Sequence, residues 1–505
     1  MADNFVNLQR QIQEEKMKKL YYVMILSVSL VFMVSCTGTN EKLERLIPSD
    51  AIGVIRYDVP QLLSQAGIVV DGEVKLPQEL KDIIDNSDDR LLSYMLRHLG
   101  KSGIDLEANA YMFFTKKTYR SVILLALDDE QAARKLVEQQ SCRKFEEHNG
   151  IDFIDIKDNA YAIDDGVLMI ARFNMLVDID DASRAAKSIL NNGKSLLDDE
   201  EARAAIDADG VITAFFEMKG FGSLIKKDDA LREIQQRIPL IGIFTDSDIK
   251  YITAVVRLDE QMATITTHFE VGEKSEYMEL LDVTMSSPSS DVLKVIPASM
   301  PYIISMSING DKFVQLQQMQ QMLQLLNKQA GLAGVDIGKL LATVDGPLAI
   351  AFTRDPSDES NWDAVLAARS NDADLAMKHI SEFATTLGQA PYIQDGVYIY
   401  EYGSKMVKMG VQDGIFFIKM LGYDDSGEKS AYELPDVKDF FGDKRVGFFA
   451  QTTIDNNVVG YLNYGLKNNT DGEGLFYTAS EKDNPALTLI EVLCSIKSDP
   501  EPTSL

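Results

Sequence analysis

The stretch Asp165-Gly166-Val167-Leu168-Met169-Ile170 recurs later in the chain as Asp413-Gly414-Ile415-Phe416-Phe417-Ile418. In both places an Asp-Gly pair separates two runs of alternating or continuous apolar residues. Gly accepts the positive φ angle that a tight two-residue turn requires, so this arrangement is typical of a β-hairpin. The two stretches therefore predict the same pair of antiparallel strands twice.

Other landmarks repeat around these hairpins in the same order. Ile47-Pro48 precedes a strand pattern, and so does Ile296-Pro297. Helical patterns cover residues 129–139 and 372–386, each between two predicted strands. We interpret this collinear order as an internal duplication. The alternative is a pair of unrelated α+β domains that share generic strand and turn chemistry.

The duplication divides the chain into a first α+β module over residues 47–288 and a second over residues 291–498. A short Ser and Pro cluster at 286–290 is typical of the boundary between them. A chain of 505 residues is also too long for one hydrophobic core, so two or more domains are expected.

The predicted fold class is α+β, with two copies of a module that has a mostly antiparallel sheet and helices packed on one face. Thr264, Thr266 and His268 alternate with apolar neighbours, as in a strand whose second face is exposed. Further strands are predicted at 211–217, 251–258, 263–271, 445–453, 475–479 and 486–496.

A targeting signal lies upstream of both modules. Lysines within residues 16–19 precede the uncharged apolar run 20–34, which is shorter than the roughly 20 residues of a membrane-spanning helix. This pattern predicts a signal peptide over residues 1–35. A start at Met17 would remove the acidic pair that stands upstream of the lysines, so we expect the true start there.

The junction Met33-Val34-Ser35-Cys36 resembles a bacterial lipobox, with Met33 in place of the usual Leu. The resemblance implies that Cys36 is diacylated, carries palmitate and becomes the mature N-terminus, with residues 36–46 as a lipidated tether. Two or more acyl chains hold a protein stably on a bilayer, so the membrane is the first expected partner. An uncleaved signal anchor, with Cys36 an ordinary thiol, is the alternative.

The residues after Cys36 indicate where the lipoprotein would lie. Thr37 is not the aspartate that in some bacteria retains lipoproteins in the inner membrane. The tether also lacks the dense acidic run that resembles a surface-export signal in Bacteroides-type bacteria. We therefore expect a lipid-anchored protein of the bacterial outer membrane, with the periplasmic face favoured over the cell surface.

The composition argues against one class of partner. The net charge is −28, and the acidic residues are spread along the chain. This charge repels the phosphate backbone, so nucleic acid is not an expected partner.

The sequence contains no recognisable catalytic, metal or cofactor site. The four histidines, His98, His148, His268 and His379, lack the spacing of metal ligands. No Gly-x-Ser-x-Gly elbow, dinucleotide fingerprint or Walker loop occurs. Catalytic residues, metal ligands and cofactors are therefore predicted as none, and Cys36, for lipidation, is the single predicted site residue.

The layout of a lipobox followed by two α+β copies that open with Ile-Pro resembles a group of uncharacterised Bacteroides-type cell-envelope lipoproteins built on a domain of unknown function. The resemblance implies a location and no chemistry. We expect a non-catalytic lipoprotein that binds or scaffolds a protein, peptide or glycan. The alternative is an envelope hydrolase, directed at a glycan, that uses scattered carboxylates.

Overall fold

A computed structural model describes most of the chain from residue 37 onward. The described residues are 37–70, 73–85, 97–156, 159–173, 178–220, 222, 249–259, 262–272, 276–284, 289–316, 319–320, 323–324, 337–353, 363–386, 392–454, 457–480 and 483–495. The predicted signal peptide and Cys36 lie outside them. The module boundaries at 288, 291 and 498 stay predictions.

The described residues form 22 strands, most of them in one antiparallel sheet. In chain order the strands of the first half are β1 Gly53–Tyr57, β2 Val69–Val70, β3 Glu73–Val74, β4 Ala110–Phe114, β5 Tyr119–Ala126, β6 Glu146–His148, β7 Ile151–Ile156, β8 Asn159–Asp164, β9 Val167–Phe173, β10 Ile212–Glu217, β11 Ile249–Leu258 and β12 Met262–Val271. Those of the second half are β13 Tyr302–Asn309, β14 Val344–Phe352, β15 Ala364–Ser370, β16 Tyr392–Gln394, β17 Val397–Tyr402, β18 Lys405–Gln412, β19 Ile415–Leu421, β20 Val446–Ile454, β21 Asn457–Leu466 and β22 Asp471–Thr478.

Twelve α-helices accompany the strands in the described part of the chain. They are α1 Thr37–Leu46, α2 Val59–Gln65, α3 Gln78–Asp85, α4 Glu130–Ser141, α5 Ile179–Leu190, α6 Glu200–Ile206, α7 Glu276–Val283, α8 Gly310–Phe313, α9 Ile337–Ala342, α10 Ala373–Thr386, α11 Pro435–Asp443 and α12 Pro485–Ser495. The fold class is α+β. The helices predicted at 129–139 and 372–386 are confirmed as α4 and α10.

The 20-stranded sheet has the same internal order in its two halves. From its outer edge to its centre, the first half runs β6, β7, β8, β9, β5, β4, β1, β10, β11, β12. The second half runs β16, β17, β18, β19, β15, β14, β13, β20, β21, β22. Antiparallel pairing of β12 with β22 joins the halves. The described chain thus has an approximate two-fold axis perpendicular to the sheet, between β12 and β22.

The two Asp-Gly hairpins are confirmed and have matching geometry. Asp165 and Gly166 have φ angles of 47° and 70°, and Asp413 and Gly414 have 52° and 74°. The Gly166 carbonyl accepts the N–H of Leu127 at 2.8 Å, and the Gly414 carbonyl accepts that of Ser370 at 2.9 Å. Each turn therefore closes a hairpin and also ties it to the end of a neighbouring strand.

The repeated Ile-Pro pairs serve one structural purpose. Pro48 forms an isolated bridge with Ser195, and Pro297 forms the same bridge with Ser430. The carbonyl oxygens of the preceding isoleucines accept backbone N–H groups at 3.1 Å and 2.8 Å, from residues 196 and 431 respectively. Each pair forms backbone hydrogen bonds between the beginning of its half and a later turn.

The expectation of helices on one face of the sheet is wrong, because both faces are covered. On one side, the front face, α1, α5 and α6 pack on the first half and α11 on the second. On the back face lie α2, α3, α4 and α12 against the first core, and α8, α9 and α10 against the second. The continuous burial of Ala110–Phe114 reflects this arrangement, since a strand covered on both sides is apolar on both sides.

Two helices cross the junction between the halves on the back face. The last described helix of the second half, α12, packs on α2 and α3 of the first. The last helix of the first half, α7, packs on α8 of the second. The strand predicted at 486–496 is therefore wrong: this stretch is α12, whose Asn484 side chain accepts the Leu487 N–H at 3.0 Å. A continuous apolar run does not distinguish a buried strand from a buried helix.

The tether predicted at 36–46 is a packed helix over most of its length. Leu43 of α1 is fully buried in the front core of the first half, and Leu46 is 7% exposed. The Glu44 side chain accepts the Tyr111 hydroxyl at 2.7 Å. The helix forms because its apolar residues cover the same face of the sheet as α5 and α6.

Candidate functional site

A half-exposed surface crosses the junction on the front face of β11, β12, β22 and β21. We call it the central face. The helices described on this side of the sheet lie at its margins: α6 contacts β10 and the outermost strand of the face, β11, and α11 contacts β20. Antiparallel registers place the side chains of Thr253, His268 and Asp471 in one row, and those of Thr264, Leu475 and Asn463 in another.

One end of the central face is aromatic. Phe449 stacks with Tyr461 at a centroid distance of 6.0 Å, and Tyr461 stacks with Tyr477 at 5.2 Å. Both tyrosines are half-buried. Stacked rings of this kind offer an apolar platform whose hydroxyl ends remain polar.

Asn463 lies beside this platform with an unsatisfied polar atom. Its neighbours across the strands are Phe449 and Leu475. The residue is only 3% exposed, and its Oδ1 has no hydrogen-bond partner. A buried amide oxygen without a partner costs free energy, but this atom is shielded from the surface, so a ligand on the central face does not reach it while the surrounding side chains keep their positions.

The other end of the central face is charged. His268 Nδ1 lies 2.8 Å from Asp471 Oδ1, and Asn468 Nδ2 donates to Asp471 Oδ2 at 2.6 Å. These bonds, that from His268 first, hold the pKa of the Asp471 carboxyl below its usual range. Glu270 pairs with Lys250 at 3.3 Å. His268 was not among the predicted site residues, although its alternation with Thr264 and Thr266 already indicated an exposed strand face.

A second polar cluster lies at the outer end of the second half. Lys408 Nζ donates to Asp424 at 2.7 Å and to Asp425 at 2.6 Å, and Lys419 Nζ donates to Asp425 at 2.6 Å. The Lys408, Lys419 and Asp425 side chains are 14%, 14% and 8% exposed. Burial raises the pKa of Asp425, but its two lysine hydrogen bonds outweigh this effect and lower it. We call these four residues the lysine–aspartate cluster.

The structure does not bring the predicted residues together into a metal or catalytic centre. Cys36 lies outside the described residues. His148 and His379 are on β6 and α10, far along the sheet from His268. Within the described ranges, no three His, Cys, Asp or Glu side chains are arranged to hold a metal ion.

No helix in the described part of the chain is long and apolar enough to cross a membrane.

The fold and the central face define an α+β protein with a large antiparallel sheet and a half-exposed surface at its centre. The family model of the "Domain of unknown function (DUF4836)" matches residues 43–388. This is more than half of the chain, which therefore belongs to that family. The matched range covers the first half and continues through α10 of the second.

Other comparisons add little. No curated protein matches the chain significantly. Among solved structures it is similar to crystal form III of TP0453, with 9% identity, a TM-score of 0.30, and coverage of 48% of this chain and 86% of that one. Crystal forms I and IV of TP0453 also give 9% identity and TM-scores of 0.28; they cover 46% and 45% of this chain and 79% of each of those chains. TM-scores at this level do not define a shared fold.

Proposed function

We propose that the protein is a non-catalytic lipoprotein of the bacterial cell envelope that binds a glycan at the aromatic end of its central face. In this proposal Cys36 carries the lipid and the outer membrane is the site of attachment, with the periplasmic leaflet favoured. The observation that carries the binding role is the stacked, half-buried Tyr461–Tyr477 platform at one end of the central face.

The chemistry of this end of the central face suits a sugar ring. The C–H face of a sugar packs against an aromatic ring, and its hydroxyl groups both donate and accept hydrogen bonds. The hydroxyl groups of Tyr461 and Tyr477 would hydrogen-bond to sugar hydroxyl groups, since a phenol both donates and accepts. Few polar groups at fixed positions on an apolar surface are enough to orient a small ligand.

The charged end of the central face favours binding over hydrolysis. A glycoside hydrolase requires a general acid whose pKa is raised so that it is protonated at neutral pH. The pKa of Asp471, on this face, is instead lowered, chiefly by its hydrogen bond with His268.

We further propose that the chain arose by duplication of an ancestral half. The identical order of ten strands, the paired Ile-Pro bridges and the matching Asp-Gly turns support this origin. The exchange of α7 and α12 across the junction would then be a later means of holding the copies together.

A glycan array probed with the folded chain tests the binding role. Tyr477→Ala should reduce binding at least tenfold, because it removes one ring of the platform. Glu270→Ala is the matched control: Glu270 lies beside Tyr251 as Tyr477 lies beside Tyr461, and its loss should leave glycan binding intact. Absence of binding to any glycan on the array, or equal loss in both variants, would overturn the assignment.

The lipid anchor has its own test. Cys36→Ala should release the protein from the membrane fraction of producing cells, because the acyl chains have no other attachment point. Cys142→Ala is the control, since Cys142 is an exposed free thiol in the first half. A Cys36 variant that stays firmly membrane-bound would refute lipidation at this residue.

A further inference from the structure

We propose that the protein is held against the bilayer without a flexible spacer, with the edge of the sheet that carries Glu107 facing the lipid. The inference rests on the proposed lipid at Cys36. It adds an orientation: the first half is membrane-proximal, and the corresponding edge of the second half points away.

Helix α1 is fastened firmly to the first half. The Asn40 side chain accepts the Asn109 N–H at 2.7 Å, and Lys42 Nζ lies 2.6 Å from the Asp165 carboxylate. Glu44 pairs with Arg203 at 2.6 Å, and the Glu44 carbonyl accepts the Ser195 hydroxyl at 2.6 Å. With Leu43 fully buried, α1 cannot swing as a tether without breaking these contacts.

The chain between Cys36 and the fixed part of α1 is short. Helix α1 begins at Thr37, directly after Cys36 in the chain. Four residue steps separate Cys36 from Asn40, which span at most roughly 14 Å when extended and roughly 6 Å when helical. Asn109, which is bonded to Asn40 at the beginning of β4, and Glu107 two residues before it are therefore near the reach of any lipid that Cys36 carries.

The approximate two-fold axis places Asp345, the residue equivalent to Glu107, far from Glu107. Glu107 and Asp345 are both exposed and occupy corresponding places relative to β4 and β14. The strands β1, β10, β11, β12, β22, β21, β20 and β13 lie between β4 and β14, a path of roughly 40 Å along the sheet at normal strand spacing. Rotation about the axis also moves Asp345 to the opposite edge of the sheet.

Energy transfer to the bilayer tests the orientation. The full lipidated chain, with Cys142 and Cys494 replaced by Ser, is reconstituted into phosphatidylethanolamine–phosphatidylglycerol vesicles that contain an acceptor-labelled lipid. A donor dye is attached to Glu107→Cys in one sample and to Asp345→Cys in the matched control. We expect transfer from position 107 to exceed that from position 345 several-fold.

Flotation of the vesicles separates the two proposals. Protein that does not float with the vesicles refutes the lipid anchor, and the orientation falls with it. Protein that floats but transfers equally from both positions overturns the orientation alone. A Gly/Ser linker inserted between Gly38 and Thr39 should bring the two signals closer together while flotation persists; an unchanged difference would show that α1 does not set the orientation.

Discussion

The outer strands of the two halves have the same order, but their front faces are covered in different ways. In the first half, α5 packs on β6 to β9. In the second half, β19 is followed by residues 422–429, which bring Asp424 and Asp425 to the lysine–aspartate cluster. One strand pattern therefore supports two different coverings.

Four residues beneath these coverings differ in the matching way. Ala160 stands five residues before Asp165, and Lys408 stands five before Asp413; Ala171 and Lys419 likewise stand five residues after the turn glycines. The two alanines are 0% and 1% exposed beneath α5. The connection after β9, residues 174–195, has room for α5, whereas residues 422–430 after β19 are too few for a helix of that length. The side chains at equivalent positions are thus matched to their coverings: alanines lie under the helix, and lysines pair with carboxylates on the short loop.

Replacing a buried alanine of the first half with lysine should cause the largest loss of stability. Ala160→Lys would place an ammonium group under α5 without a partner, and we expect a loss of about 4 kcal/mol or more in the free energy of unfolding. Urea denaturation measures it. Ala160→Met separates volume from charge, because overpacking alone costs about 1–3 kcal/mol. Equal losses in the two variants would mean that charge does not explain the difference between the halves.

Removing the shared carboxylate of the lysine–aspartate cluster should have the next largest effect. Asp425→Ala leaves the ammonium groups of Lys408 and Lys419 mostly buried, with Asp424 as the remaining partner of Lys408. We expect a loss of about 3 kcal/mol. Asp424 is the matched control, because its side chain is 57% exposed and its removal should cost much less, since solvent screens an exposed ion pair. Similar losses for the two aspartates would contradict the role of burial.

Lowering the pH should cause the smallest loss of stability of the three changes. The loss should occur in the second half before the first. The Lys408 hydrogen bond lowers the pKa of Asp424 to about 2, and the pKa of Asp425 is also lowered. A carboxyl whose pKa is lower in the folded state stabilises the fold above its unfolded pKa of about 3.9. This stability is lost as the pH falls through the folded value.

Hydrogen exchange as a function of pH measures this loss. Below about pH 4, β18 and β19 should lose protection before β8 and β9. The first half has Asp178, whose pKa is lowered chiefly by the Asp181 backbone N–H, but this carboxyl caps α5 and holds no buried cation. In the triple variant Lys408→Ala, Lys419→Ala, Asp425→Ala, the strands β18 and β19 should lose protection at the same pH as β8 and β9. Earlier opening of β8 and β9 in the unmodified protein would be the opposite of what is expected.

The central face shows a second asymmetry between equivalent positions. The Tyr251 ring lies tilted against Phe215 at a centroid distance of 5.3 Å, in the place where Tyr461 stacks on Phe449. The stack continues to Tyr477 in the second half, whereas Glu270 stands beside Tyr251 in the first. The aromatic platform therefore forms at one end of the junction only, although the backbone there is nearly symmetric.

The sequence predicted some parts of this molecule better than others. The hairpins at Asp165-Gly166 and Asp413-Gly414 and the helices α4 and α10 were predicted correctly, because turn chemistry and helical periodicity are local signals. Strand β21 was missed, and α12 was predicted as a strand, because Gly and Asn interrupt the first and an unbroken apolar run obscures the second.

The candidate site could be predicted only in part. The alternation at Thr264, Thr266 and His268 indicated an exposed strand face. It did not indicate that β22 would lie beside this strand, or that Tyr461 and Tyr477 would stack at its other end. These residues are far apart in the chain, and no local pattern relates them.

The sequence by itself determined where the strands turn and how each half begins, and it predicts lipidation at the cysteine whose surroundings resemble a lipobox. Positive φ angles and helical capping depend on a few adjacent residues, so they can be read locally. The tertiary structure alone decided the joining of the halves through β12 and β22, the helices on both faces and the packing of α1. Each of these results from apolar surfaces and hydrogen-bonding groups that meet across long separations in the chain, where burial, and not local conformation, selects the partner.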